Sequence, residues 1–167
     1  MKIIEVKTPT QKKEFLRLPV QIFKDDPYWI RPLDKDIELV FDPGQNKFFR
    51  HGECTRWILQ SDQGETIGRV AAFVDKKRAK KGNDQPTGGM GFFHCINDKE
   101  AAFKLFDTCK AWLEERGMEA MDGPINFGER DKWWGLLVDG FDIEPNYCMP
   151  YHKPYYQELF EEYGFQV

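Results

Sequence analysis

The chain has 167 residues, of which 41% are hydrophobic and 14 are phenylalanine, so one compact domain with a substantial core is the simplest organisation. Its net charge of -4 argues against nucleic acid or anionic membranes as partners, because both favour surfaces dense in lysine and arginine. No apolar run approaches the roughly 20 residues of a membrane span, and the first residues lack a signal-peptide core, which predicts a cytoplasmic protein.

The first half of the chain predicts strands and helices from its hydrophobic periodicity. Thr10 precedes a helical pattern that ends at Asp25-Asp26-Pro27, and a shorter helical stretch covers residues 36–41. Alternating or β-rich runs predict strands over residues 2–7, 54–60, 66–75 and 90–96. The last three strands form the simplest antiparallel meander, joined by the turn at 61–65 and a basic, glycine-rich loop at 76–89.

The second half begins with a βαβ unit. The strand at 90–96 leads into a helix with an apolar stripe, and a short strand over 118–125 follows after Gly117. The segment from Asn126 to Tyr151 is irregular and rich in aromatic and acidic residues. A last helix starts near Pro154 and ends at Gly164.

The order of these elements, together with several strings, resembles the acyl-CoA N-acyltransferase fold of the GNAT superfamily and a group of poorly characterised bacterial GNAT-like proteins within it. The strings are DPYWIRPL, FDPGQNKFF, GPINF, GLLVDGFD, MPYHKPYY and the terminal YGF. The resemblance spans nearly the whole chain, as a single domain over 1–167. It implies an α/β (α+β) fold with a mixed, mostly antiparallel sheet, helices on both faces, and one or more final strands missing from this chain.

The resemblance also implies a cofactor, acetyl-CoA or another acyl-CoA, held where the strands around Phe93 and Gly123 separate. Its pantetheine would pair with a strand edge, and its pyrophosphate would meet backbone amides of the following turn. The residues that this implies for cofactor binding are Phe93, Cys95, Ile96, Asn97 and Lys99.

The turn departs from the superfamily pattern because it contains no glycine. Asn97 at the N-cap with Glu100 three residues later resembles a capping box, which would satisfy the helix amides from within. Asp98 and Glu100 would also repel a pyrophosphate. The turn therefore either caps a structural helix or binds phosphate through the remaining amides and Lys99.

Two residues are candidates for catalysis. The superfamily often places a tyrosine at the position of Phe160, which has no proton to give, and Tyr156 shares a helix face with it. Tyr156 is therefore the candidate acid, with core packing as the alternative. Asp131 is the candidate general base, because a carboxylate beside apolar walls can take a proton from an amine.

The irregular segment offers binding residues for a small-molecule amine. Carboxylates among large aromatic side chains attract a cation through charge and cation–π contact. The alternative is a loop that is anchored by its aromatic residues and keeps its acids solvated. The candidate substrate-binding residues are Asn126, Glu129, Trp133, Trp134, Tyr147 and Tyr151.

Other residues favour structural roles. The four cysteines show no CxxC pair and the three histidines show no metal-binding spacing, so reduced thiols and no metal are predicted. His94 and Cys95 are adjacent on a strand and face opposite sides, which argues against a catalytic pair. The basic cluster at 76–81 indicates a solvated loop, with a phosphate contact as the alternative.

Three explanations account for a GNAT-like sheet that lacks its final strand. The chain is the N-terminal part of a longer protein, a homodimer supplies the strand, or the edge stays open. The first explanation is preferred. The function is then an acyl-CoA-dependent N-acyltransferase-like activity on an amine, or alternatively a non-catalytic GNAT-like module that binds a ligand or a partner.

Overall fold

The computed structural model describes residues 1–82 and 84–167. It contains five strands, four α-helices and one 3-10 turn at Lys47–His51. The strands are β1 (Lys2–Glu5), β2 (Gly52–Gln60), β3 (Thr66–Asp75), β4 (Thr87–Cys95) and β5 (Ala120–Asp122), and the helices are α1 (Pro9–Ile22), α2 (Asp34–Val40), α3 (Lys99–Glu114) and α4 (Tyr155–Tyr163). The predicted order of elements is confirmed.

The strands form one sheet in the order β1-β2-β3-β4-β5. The first four strands pair antiparallel and β5 joins β4 in parallel, so the sheet is mixed and mostly antiparallel, as predicted. Among the residues that the structure describes, β5 pairs with β4 alone and its outer edge carries no strand. The edge predicted to be unpaired is therefore open.

Helices cover both faces of the sheet. Helices α3 and α4 pack on one face around the stacked pair Phe93 and Phe106, which lie 4.7 Å apart. Helices α1 and α2 cover the other face, where Phe15, Ile37 and Ile58 form a smaller cluster. The C-terminal end of β4 lies between the helices on the two faces.

Among the boundaries that differ from the sequence prediction, two lie beside the predicted cofactor site. Helix α3 is capped by Asp98, whose carboxylate accepts the Ala101 N–H at 3.1 Å, so the N-cap lies one residue after the predicted Asn97. Strand β5 ends at Asp122, well before residue 125, because Pro124 has no N–H to offer the ladder. Ile125 still donates its N–H to the Met90 carbonyl at 2.8 Å.

Strand β4 is irregular at Phe92, which has a positive φ of 49°. Two residues of β4 lie opposite Val70 of β3, because Ala71 pairs with Gly91 and Arg69 with His94. The preceding Gly91 must be glycine, since a Cβ there would lie 2.0 Å from the Ile125 carbonyl oxygen. The bulge turns the end of β4 away from the chain that follows β5.

The long loop after β3 packs more closely than a fully solvated loop. Arg78 lies over the Phe48 ring and within 3.7 Å of the Asp75 carboxylate, and Ala79 is buried. Asn83, part of the loop predicted over 76–89, lies outside the described residues. The basic cluster is thus attached to the protein at Arg78.

Helix α1 contains a proline at position 19 that frees one of its carbonyls. Pro19 lacks the N–H that would bond the Phe15 carbonyl four residues earlier. Arg69, from the middle of β3, supplies the missing donor: its Nη1 donates to the Phe15 oxygen at 2.7 Å. The helix is therefore joined to the sheet through a side chain that replaces a helical hydrogen bond.

This arrangement predicts coupling between Pro19 and Arg69. Arg69→Met leaves the buried Phe15 carbonyl without a donor, a loss of about 1–3 kcal/mol in the free energy of unfolding. Pro19→Ala restores a helical N–H, so it should be more stabilising in the Arg69→Met background than in the wild type, by about 1 kcal/mol or more. Urea unfolding of the four proteins measures the difference.

Pro9→Ala is the matched control for this cycle. Pro9 occupies the first turn of the same helix, where an N–H would have no helical carbonyl to bond. The effect of Pro9→Ala on the free energy of unfolding should therefore be independent of Arg69. Additivity of Pro19→Ala and Arg69→Met within about 0.5 kcal/mol would contradict the replacement of the helical hydrogen bond by Arg69.

Candidate functional site

Of the cavities on the α1 and α2 side of the sheet, two share Trp133 in their lining. The larger one, called the polar cavity, has a volume of about 300 Å³ and is lined by α2, the 3-10 turn and the start of the irregular segment. The smaller one, called the aromatic cavity, has a volume of about 50 Å³ and lies over the bulge in β4. Four of the predicted binding residues, Asn126, Glu129, Trp133 and Tyr147, line the polar cavity.

Asn126 carries a buried acceptor without a partner. Its side chain is 4% exposed, and its Nδ2 donates to the Glu129 carbonyl at 3.4 Å. No donor within the described residues reaches its Oδ1. Such an orphan costs free energy unless a ligand or water satisfies it, so it marks a place where an N–H or O–H can bind.

Trp133 carries a buried donor without a partner. Its backbone has a positive φ of 42°, and its N–H donates to the Cys148 carbonyl at 2.8 Å. Its ring packs on Phe92, itself at positive φ, with the ring centroids 5.4 Å apart. The indole Nε1 finds no acceptor in the described part of the chain. Two strained residues in contact are typical of functional sites.

Carboxylates surround the mouth of the polar cavity. Glu129 lies 3.5 Å from the Lys47 ammonium, and Asp36 accepts a hydrogen bond from the Tyr147 hydroxyl. This hydrogen bond raises the pKa of Tyr147 to about 12. The cavity therefore offers an amine an amide oxygen, an aromatic wall and two carboxylates, and Lys47 and Lys132 line it as well.

The structure places the other residues of the predicted substrate group elsewhere. Tyr151 is buried beside the aromatic cavity, where its hydroxyl lies 2.8 Å from an Asp26 carboxylate oxygen, and burial raises its pKa. Trp134 is 51% exposed and lines neither cavity. Asp131 is exposed and lines neither cavity either.

The aromatic cavity contains Arg69 and two histidines. Arg69 Nε donates to His94 Nδ1 at 3.2 Å, so His94 carries its proton on Nε2, which lies 3.2 Å from the Tyr151 carbonyl. His152 accepts the Leu137 N–H on Nδ1 at 3.0 Å, and the two imidazoles stack 5.8 Å apart. The three side chains come from β3, β4 and the residues just before α4.

Burial and the nearby cation keep both imidazoles neutral. Desolvation, with the charge of Arg69, lowers the pKa of His152 to about 3 and that of His94 well below its usual value. Desolvation also lowers the pKa of Arg69 to about 9, so the guanidinium still carries its charge at neutral pH. The aromatic cavity thus has one cation without a carboxylate partner, Arg69, beside neutral rings, while its other arginine, Arg31, is paired with Asp34.

Two tyrosines of α4 bond the edge of β4 that was predicted to pair with the cofactor. The backbone N–H of Cys95 donates to the Tyr156 hydroxyl at 2.9 Å, and the Tyr155 hydroxyl donates to the Cys95 carbonyl at 2.6 Å. Tyr156 is fully buried against Phe93, and burial raises the pKa of its phenol. Burial likewise raises the pKa of the Cys95 thiol to about 12, so this thiol stays protonated.

The turn before α3 is closed by its own residues as well. The Asp98 carboxylate occupies the helix start, and Ile96 donates its N–H to the Ile67 carbonyl at 3.0 Å. Asn97 is exposed, and the Lys99 ammonium lies 3.1 Å from Glu162 of α4. The N–H and carbonyl of Cys95 and the amides of Ile96 and Ala101 therefore already have partners, which leaves fewer backbone groups for a pantetheine along β4 or a pyrophosphate at α3.

Sequence reasoning missed the group formed by Arg69, His94 and His152. The three residues are far apart in the chain and match no spacing motif. Arg69 and His94 become direct neighbours only through the register of β3 and β4, where they face each other. An arginine inside an otherwise apolar strand, RVAAFV, was the one available signal.

Two features are absent from the described residues. No group of three or more histidine, cysteine, aspartate or glutamate side chains is arranged to hold a metal ion. No helix there has both the length and the apolar character needed to cross a membrane.

Two curated proteins are similar to the chain over nearly all of its length, although no family model matches it. The chain is 32% identical over 165 residues to a protein named bacterial ceramide synthase from Caulobacter vibrioides, and covers 42% of it. It is also 32% identical over 157 residues to protein YghO from Escherichia coli, and covers 38% of it. The chain thus spans about two fifths of the length of these relatives.

Solved structures with the same architecture are acetyltransferases. The aminoglycoside 6'-N-acetyltransferase AAC(6')-IG from Acinetobacter haemolyticus superimposes with a TM-score of 0.57 at 12% identity, covering 100% of this chain and 92% of that one. AAC(6')-Iy in complex with a CoA bisubstrate analog gives a TM-score of 0.57 at 14% identity, covering 99% and 90%. The chain therefore has the acyl-CoA N-acyltransferase fold of the GNAT superfamily.

Proposed function

We propose that this chain forms the acceptor-binding part of an acyl-CoA-dependent N-acyltransferase that acts on a long-chain amine. The observation that carries the proposal is the 32% identity to the bacterial ceramide synthase across 99% of this chain. A ceramide is the amide of a long-chain amino alcohol, so the acceptor of this class carries an amine beside a hydroxyl. The GNAT fold supports the same reaction class.

The polar cavity has the complementary chemistry for such an acceptor. Asn126 Oδ1 can accept a hydrogen bond from an amine or a hydroxyl, and Trp133 Nε1 can donate one to a hydroxyl oxygen. Asp36 and Glu129 can attract an ammonium, although Glu129 already lies 3.5 Å from the Lys47 ammonium. A ligand that carries both a donor and an acceptor has a hydrogen-bonding group for each of the two orphan atoms.

We assign this chain the acceptor side because its β4 edge is closed. Cys95 is paired with Tyr155 and Tyr156, and the Asp98 carboxylate binds the Ala101 amide at the start of α3, so these backbone groups are not free for an acyl donor. The role derived for the chain is to bind and orient the amine.

A non-catalytic ligand-binding module is the second candidate, and the same closed edge favours it. Such a module would bind the amine in the polar cavity without any transfer. The two candidates therefore share the acceptor site and differ in the chemistry that follows.

Binding at the polar cavity predicts specific losses in two variants. Isothermal calorimetry with 2-aminodecan-1-ol should show saturable binding that Asn126→Leu and Trp133→Phe each weaken about tenfold, because each removes one hydrogen-bonding atom that has no other partner. Decan-1-ol, which lacks the amine, should bind more weakly to the wild type.

Trp112→Phe is the matched control for the indole. Trp112 packs on Trp57 at the far face of the sheet and lines neither cavity. Its variant should bind the amino alcohol as the wild type does. Equal affinity of all four proteins, or no saturable heat, would rule out the polar cavity as the acceptor site.

Transfer itself is tested by mass spectrometry. Purified protein incubated with palmitoyl-CoA and 2-aminodecan-1-ol should release free CoA and form the N-palmitoyl amide, and Asn126→Leu should lower kcat/KM for the amine about tenfold. Saturable amine binding with both reactants left intact would reject the acyltransferase and select the non-catalytic module.

A further inference from the structure

Arg69 is a buried cation without a counter-charge. Its side chain is 2% exposed, and among residues 1–82 and 84–167 no carboxylate lies within 4 Å of it. Two acidic residues of α2 are paired elsewhere: Glu38 with Arg56 at 2.9 Å, and Asp34, which lines the same cavity as Arg69, with Arg31 at 3.2 Å. Buried charges are ordinarily paired, so an uncompensated one requires an explanation.

The guanidinium has donors to spare. It carries five N–H groups, and its protein partners are two acceptor atoms, the Phe15 carbonyl oxygen and His94 Nδ1. His94 Nδ1 has one lone pair, which Nε and Nη2 share at 3.2 and 3.1 Å. At least two N–H groups therefore have no acceptor in the described chain, and Arg69 lines the aromatic cavity.

Apart from one ion pair, the rest of the cavity wall is apolar or neutral. Pro19, Ile37, Phe92 and Met149 line it, and His94 and His152 are uncharged. Arg31 and Asp34 also line the cavity and are paired with each other at 3.2 Å. An anion that enters would find one unpaired cation, Arg69, in a low-dielectric setting that strengthens their attraction.

The size and the entrance of the cavity restrict what can bind. A volume of about 50 Å³ admits a group of two or three heavy atoms, since one water occupies roughly 30 Å³ of liquid. Ile30 lines the cavity and is 50% exposed, so the cavity meets the surface beside an apolar side chain. The binding group is small and anionic, and the remainder of the ligand lies against apolar surface.

We propose that the aromatic cavity is a binding site for the carboxylate of a long-chain carboxylic acid, with Arg69 as its cationic partner. The planar guanidinium matches a carboxylate through two parallel hydrogen bonds. A phosphate group is too large and too highly charged for one cation in this volume, and an amine would be repelled. The site is separate from the polar cavity and does not depend on the proposed function.

Calorimetry with a ligand series tests the proposal. Decanoate should bind saturably at neutral pH, and acetate, decan-1-ol and inorganic phosphate should each bind at least tenfold more weakly. Acetate lacks the apolar tail, decan-1-ol lacks the negative charge, and phosphate lacks the planar shape of a carboxylate. Equal binding of decan-1-ol would show an apolar pocket, and tighter binding of phosphate would show a different anion site. Either result, or no saturation by decanoate, would overturn the proposal.

Two arginine variants locate the site. Arg69→Met should weaken decanoate at least tenfold, because the carboxylate loses its charged partner. Arg56→Met is the matched control: Arg56 is also buried over the Phe15 ring, at 4.8 Å against 4.6 Å for Arg69, but its partner is Glu38. Its variant should keep decanoate affinity within about twofold, and equal losses in both would contradict the assignment.

A second pair of variants avoids the buried arginine altogether. Ile30 is half exposed, so its substitution leaves the core intact. Ile30→Glu places a negative charge at the mouth of the cavity and should weaken decanoate several-fold more than Ile30→Gln, with the difference shrinking in high salt. Identical affinities of the Glu and Gln variants at low salt would reject entry of a carboxylate at this mouth.

Discussion

The hydrogen bond from Arg69 to the Phe15 carbonyl is the contact on which this side of the molecule depends. Pro19 removes the helical donor for that carbonyl, and Arg69 reaches across from β3 to replace it at 2.7 Å. The same guanidinium holds His94 on β4, which in turn meets the Tyr151 carbonyl. One buried cation thus connects α1, two central strands and the chain before α4. The aromatic cavity exists because these elements meet around a charge that none of them neutralises.

Much of the fold follows from local sequence signals, whereas the site does not. The amphipathic stripe of α3 and the β-rich runs predicted their elements to within a few residues, because periodicity alone reports which face is buried. The strand predicted over 118–125 is shorter in the structure because Pro124 ends the ladder. The N-cap of α3 is Asp98, whereas Asn97 was predicted. Asn126, Glu129, Trp133 and Tyr147 were predicted as a group from composition and line one cavity. Arg69, His94 and His152 could not be grouped, since only the β3–β4 register and the path of the irregular segment bring them together.

The βαβ unit at the centre of the chain supports the fold more than the chemistry. Its helix start is capped by Asp98, and the edge of β4 is bonded to Tyr155 and Tyr156. The polar groups that lack hydrogen-bond partners lie on the opposite face of the sheet. Asn126 and Trp133 each carry one unpaired polar atom there, and Arg69 has N–H groups without an acceptor. Phe92 and Trp133, both at positive φ and in contact, hold the wall between the two cavities. Phe92, at the bulge of β4, lines the aromatic cavity, and Trp133 lines both cavities.

A crystal structure of the protein grown with decanoate would show directly whether Arg69 binds a carboxylate. We expect Arg69 Nη1 to donate to the Phe15 carbonyl, Nε to donate to His94, and the remaining N–H groups to bind the decanoate carboxylate, with the tail leaving past Ile30. An Arg69 side chain that turns to solvent, or that pairs with a carboxylate of the protein in place of the ligand, would contradict it.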